Sequence, residues 1–110
     1  MDCPDIYGLK FDGRSKQGIE RIRDIREISS LLAKFLGYGT SANIFLGNGF
    51  IESSYNITSQ DWTLFAQAMR GIPEIARDRI ELEASLQALD HFNSPDEKKF
   101  WEAVANGCSF

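Results

Sequence analysis

Long apolar runs are missing from this sequence. The longest cover only a few residues, far short of the roughly 20 that a membrane-spanning helix requires. An excess of basic charge is also missing. Twelve lysines and arginines stand against 16 acidic residues, for a net charge of −4. Nucleic acids and anionic membranes recruit basic surfaces, so both are disfavoured as partners. Histidine is nearly absent, with His91 alone, and the two cysteines, Cys3 and Cys108, lie at opposite ends of the chain without a CxxC pair. Structural zinc takes four ligands, so neither a metal nor another cofactor is expected. The opening Met-Asp-Cys-Pro-Asp lacks the basic and apolar regions of a secretory leader. A reducing, cytoplasmic location with both cysteines as thiols is the resulting expectation. A disulfide joining the two ends would instead fit a small extracellular protein.

Nucleotide-binding signatures are missing as well. Neither G-x-x-x-x-G-K-[ST] nor G-x-G-x-x-G occurs. The nearest approach is Gly47-Asn48-Gly49, but no lysine or arginine lies between Lys34 and Arg70 to offset a phosphate. Glycine and asparagine tolerate positive φ, so a plain turn accounts for this stretch. Repeats, low-complexity tracts and obvious linkers are likewise not seen.

What is present is a globular composition, with 43% hydrophobic and 25% charged residues over 110 positions. One domain, residues 1–110, is the expectation. Asp5–Phe11 reads as a short strand, although Ile6, Leu9 and Phe11 do not alternate strictly. A helix follows and ends before Gly37, with Ile25, Ile28, Leu32, Phe35 and Leu36 on one face. Ile19 and Ile22 continue upstream in steps of three, each of which drifts by about 60° on an α-helix, so the stripe wraps or the helix is interrupted. Residues 43–46 suit strand and helix equally.

Thr58-Ser59-Gln60-Asp61 has the spacing of a capping box, and Trp62, Phe65, Ala66 and Met69 supply an apolar face up to Gly71. Pro73 opens a long helix to about Phe92. Its large face carries Ile75, Leu82, Leu86 and Leu89, and its smaller face Ile80, Ala84 and Ala88. Two apolar faces predict packing on both sides and a central position. Ser94-Pro95-Asp96-Glu97 is another helix start, with Ser94 as cap, Pro95 in the first turn and Glu97 closing the box. Phe100, Trp101 and Val104 form the buried side, and Gly107 ends the helix. The sum is a mainly α, compact single domain of four to five helices with room for a short N-terminal strand pair; α+β is the alternative class.

Candidate functional residues are few. Acidity is concentrated late: residues 71–110 hold eight acidic and four basic side chains, whereas residues 1–40 hold six and seven. Glu74, Asp78 and Glu81 share one stripe of the long helix, a docking face for a basic protein. Tyr55, in a loop-like stretch, is a candidate interface anchor. Trp62 and Trp101 read as core residues. His91 reads as a capping or surface side chain near a helix C-terminus, because Asp90 beside it in sequence points elsewhere on the helix. Ala33, Gly37 and Ile44 are reminiscent of a helix-turn-helix, but the would-be recognition segment lacks basic residues. Arg21, Arg23 and Arg26 are interleaved with Glu20, Asp24 and Glu27, as on a solvated face.

The leading expectation is a non-enzymatic protein-binding domain, an inhibitor, immunity-type or phage-encoded antagonist of a protein target. A helix-turn-helix-like DNA-binding regulator is second, and a small enzyme using His91 or a thiol is third. Thirteen aromatic residues in a chain of this size are also compatible with a homodimer.

Overall fold

The computed structural model describes residues 3–25 and 55–110. Strand β1 (Ile6–Leu9) pairs antiparallel with β2 (Tyr55–Ile57), Ile6 opposite Ile57 and Leu9 opposite Tyr55. Three steps on β1 therefore match two on β2, so β1 carries one extra residue. Gly8 supplies the left-handed conformation at φ 67°, and its amide donates to Asn56 Oδ1 at 2.9 Å. This bulge explains the missing alternation: Ile6 and Leu9, three apart, both point into the core. The strand pair expected near the N-terminus exists, but its second strand comes from the middle of the sequence.

Helix α1 (Gly13–Arg23) starts at the N-cap Asp12, whose carboxylate accepts the Ser15 amide at 2.8 Å. It ends at Asp24, well before Gly37, which resolves the drift of its stripe: Ile19 and Ile22 are buried within the helix and Ile25 just beyond it. The rest of that stripe, Gly47-Asn48-Gly49 and the helix-turn-helix-like segment lie outside the described residues.

Helices α2 (Ser59–Arg70), α3 (Glu74–Asp90) and α4 (Pro95–Ala105) start and stop close to their sequence signals. At the head of α2, the Thr58 amide donates to Asp61 Oδ2 at 2.8 Å, one half of the expected capping box. At the end of α4, the Cys108 amide donates to the Ala103 carbonyl at 3.0 Å and the Gly107 amide to Val104 at 2.9 Å, a Schellman motif with Gly107 at φ 57°. Ser94, by contrast, makes no side-chain cap bond, and the Glu97 carboxylate, expected to close its capping box, is engaged by Ser15 and the Asp12 amide.

The core is aromatic. Phe100 meets Trp101 and Phe11 edge-on at 5.0 Å, and Trp62 meets Phe65 edge-on at 5.8 Å. Trp62 and Trp101 are buried, as their helical positions predict.

Helix α3 packs mainly on α4 and also on α1. It does so through its small face, Ala76, Ile80, Ala84, Gln87 and Ala88. The expectation that both faces are packed fails: Ile75, Leu82, Leu86 and Leu89 are exposed, and Phe92 extends the exposed apolar surface beyond the helix. Small residues win the interior position because they allow close helix approach. A Cβ added at Gly18 of α1 would lie 2.8 Å from Gln87 Nε2 and 3.0 Å from its Cδ. Gly18→Ala is therefore expected to lower stability. Overpacking costs about 1–3 kcal/mol, against up to about 1 kcal/mol gained in helix propensity. Urea unfolding reads the net change, and a stabilised variant would contradict this close contact.

The termini are joined. Cys3 and Cys108 form a disulfide with Cα atoms 5.8 Å apart, which corrects the expectation of two thiols. Both ends are held independently of that bond. Trp62 Nε1 donates to the Pro4 carbonyl at 2.9 Å, Asp5 accepts the Ser59 amide at 2.9 Å, and the Schellman turn sets Cys108. No helix among the described residues is long and apolar enough to cross a membrane.

Candidate functional site

Of the residues singled out by sequence, Glu74, Asp78 and Glu81 come together. They line an open groove of about 300 Å³ between α3 and the C-terminal tail, with Met69, Arg77, Ala105 and Phe110 completing the walls. The helix supplies three carboxylates at steps of four and three, one face of a 3.6-residue period. The tail supplies an aromatic wall. Arg77 shapes this wall: its guanidinium lies 4.6 Å from the Phe110 ring centroid and donates to the Ile72 carbonyl at 3.0 Å, close to the end of α2. Phe110 was not picked out by sequence, since only the turn at Gly107 brings it back over α3.

Tyr55 is not part of this surface. It is a buried residue of β2 whose ring packs on Phe11 at 5.4 Å, so it cannot anchor a partner. Its place in a strand, rather than a loop, is what removes it from solvent.

His91 is the second correction. It is 2% exposed and forms the hub of a polar cluster joining three elements. As C-cap of α3 it follows the helix path, and its Nδ1 lies 2.6 Å from the Gln87 carbonyl one turn back. Its Nε2 lies 2.9 Å from both carboxylate oxygens of Asp12 and 3.4 Å from Glu97 Oε2. A carbonyl and a carboxylate only accept, so this geometry favours the imidazolium, with both ring nitrogens donating. Burial alone would push the His91 pKa down. The hydrogen bonds to Asp12 and Gln87 and the charges of Asp12 and Glu97 outweigh burial, and the pKa lies above its ordinary 6.5. For Asp12, burial pushes the pKa up, but the Ser15 amide and His91 outweigh it and hold the pKa below 3.8.

Ser15 completes the cluster. Its hydroxyl donates to Glu97 Oε2 at 2.6 Å and accepts Trp101 Nε1 at 2.9 Å. Glu97 Oε2 also accepts the Asp12 amide at 3.1 Å. Both carboxylates thus sit at helix starts, Asp12 capping α1 and Glu97 in the first turn of α4, where the helix dipole favours negative charge.

Ser, His and Asp are the residue types of acyl-transfer catalysis, but their arrangement here differs. Ser15 is fully buried and its proton points to Glu97, and His91 Nε2 faces the aspartate instead of being free to take a proton. Asp12, His91 and Glu97 also have one donor atom each within 4.8 Å of one another, the only such metal-ligand set among the described residues. The imidazolium proton fills the position a cation would take, and both carboxylates already accept amide or hydroxyl bonds.

Sequence reading missed this cluster for two reasons. Asp12-Gly13 has the composition of a plain turn, and Glu97 fits a local capping box. The available signal was the Asp12 to Ser15 spacing of an N-cap, but nothing in sequence links it to His91, 76 positions beyond Ser15.

The basic residues of α1 also have partners. Arg21 pairs with Glu83 at 3.3 Å, and Arg14 with Asp90 at 3.6 Å across an exposed contact. No protein-family model matches the chain, and no curated protein or solved structure is significantly similar to it.

Proposed function

We propose that this chain is a non-enzymatic protein-binding domain that blocks a basic target, as an inhibitor, an immunity-type protein or a phage-encoded antagonist does. The observation that carries this reading is the groove that Glu74, Asp78 and Glu81 line beside Phe110. Three carboxylates favour a lysine or arginine, and with Arg77 already stacked on Phe110 they still outnumber the groove's own cation. The buried polar cluster supports the non-enzymatic part, since none of its hydroxyl or imidazole groups is open to a substrate.

The expected cytoplasmic location, drawn from the opening residues, implied free thiols. With Cys3 paired to Cys108, an oxidising compartment is the better fit, because reducing compartments do not maintain such bonds.

The first experiment is capture from the source lysate with the tagged, oxidised chain, with and without nuclease. One stoichiometric protein that survives nuclease supports the reading. Nucleic acid lost on nuclease treatment would replace it with the regulator. With the partner in hand, Asp78→Lys with Glu81→Lys is expected to slow association by about tenfold or more and to flatten its salt dependence, as for steered encounters. Stopped-flow rates unchanged by this double reversal would remove the groove from the interface.

A further inference from the structure

We propose that the exposed aliphatic stripe of α3 joins a second copy of this chain in an antiparallel helix pair. This surface is adjacent to the acidic groove, but the proposal does not depend on it. Ile75, Leu82, Leu86 and Leu89 lie within an arc of about 60° at 100° per residue. Each is more than half exposed, as is Phe92 just past the helix end. At on the order of 100 Å² per side chain, five such residues come to about 500 Å², near the top of the range for the largest apolar patch of a monomer. Flanking polar side chains bring the face towards the roughly 800 Å² per partner of a standard interface.

The spacing identifies the occupant. Positions 75, 79, 82, 86 and 89 advance by four, three, four and three, the seam of a helix pair. Four of the five are aliphatic and the fifth is Arg79, an exposed residue. A parallel copy would set Arg79 against Arg79. An antiparallel copy that pairs Leu82 with Leu86 sets Arg79 opposite Leu89, one residue from Asp90, and brings Ile75 within one residue of Phe92. Leu82 and Leu86 then meet each other, Ile75 lies beside Phe92, and the one cation in the seam reaches the acid next to Leu89. A face complementary to itself in this way suits an isologous dimer. The intramolecular Arg14–Asp90 pair does not prevent this, since its side chains are 68% and 52% exposed and such pairs contribute little.

Sedimentation velocity of the full oxidised chain over a concentration series is the test. The native chain is expected to sediment as a dimer and Leu86→Glu as a monomer with an unchanged melting midpoint, because Leu86 is outside the core formed by the described residues. Arg79→Asp should weaken the dimer about tenfold, and adding Asp90→Arg should restore it to within a few-fold. A native chain that is monomeric throughout its soluble range overturns the proposal. In that case an unchanged melting midpoint in Leu86→Glu assigns the stripe to a different protein, and a lowered one assigns it to the chain itself. A dimer that survives Leu86→Glu, or a charge swap that restores nothing, overturns the proposal equally.

Discussion

Reducing the Cys3–Cys108 disulfide is expected to lower the free energy of unfolding by roughly 2–5 kcal/mol, which for a domain of this size shifts the melting midpoint by about 10–20 °C. The two cysteines are 105 positions apart, so the bond closes nearly the whole chain into a loop. Closing a loop of that length removes much of the unfolded chain's freedom, and the native state gives up little in return. The Cys3 side is already held by the Pro4 carbonyl and Asp5, and Cys108 by the Schellman turn after α4. Cys3→Ser with Cys108→Ser should match the reduced native protein. Calorimetry with and without reductant, with thiol release confirmed by mass, gives the comparison. Equal midpoints in fully reduced and fully oxidised samples would show that the bond adds nothing to the fold. Cys108 is buried at the core and Cys3 packs against it, but the ring-to-ring contacts and the His91 cluster do not involve either, so the reduced chain should still fold, with its C-terminal tail and Phe110 less firmly held against α3.

Replacing His91 with alanine is expected to cost roughly 2–3 kcal/mol, at the lower end for a broken buried pair because Asp12 keeps part of its hydration. The loss exceeds a missing contact. Glu97 stays buried with Ser15 and the Asp12 amide as partners but without the nearby cation, and the end of α3 loses its tie to the start of α1. The same cluster sets a pH dependence. His91 has a folded pKa above 6.5, so its stabilisation is complete below 6.5 and is lost as pH rises through the raised folded value. Asp12 has a folded pKa below 3.8, so its contribution is present above 3.8 and is lost as pH falls through the lowered value. Stability should therefore peak between these limits, and His91→Ala should remove the alkaline decline and weaken the acid one, since His91 helps to hold the Asp12 pKa down. Because His91 is the only histidine, its imidazole resonances titrate without ambiguity by NMR. A midpoint at or below 6.5 would refute the imidazolium assignment.

Local chemistry in the sequence determined α2, α3 and α4 and their ends, but not the early end of α1 at Asp24. Thr58 with Asp61, Pro95 in a first turn, and Gly107 past a last turn act over a few residues, so they act alike in any fold, and α2 and α4 run between them. The aromatic periodicity that buried Trp62, Phe65, Phe100 and Trp101 is equally local. The acidic stripe of Glu74, Asp78 and Glu81 followed from helical spacing as well. Strand β1 was legible in position but not in pattern, because its bulge depends on a partner strand about fifty positions away.

Tertiary structure decided what depended on distance. Periodicity could show that α3 has two apolar faces but not which one the fold would use, and the closely packed small face is buried while the large aliphatic residues remain outside. Tyr55 became core once β2 paired with β1, and Phe110 became a groove wall once the chain turned at Gly107. The disulfide required the two ends to meet, and a chain read in order gives no measure of that separation. His91 changed most. In sequence it is a lone histidine beside an aspartate that points away; in the fold it is a buried cation between Asp12 and Glu97, because three helix termini converge on one point and their charges must be satisfied there together.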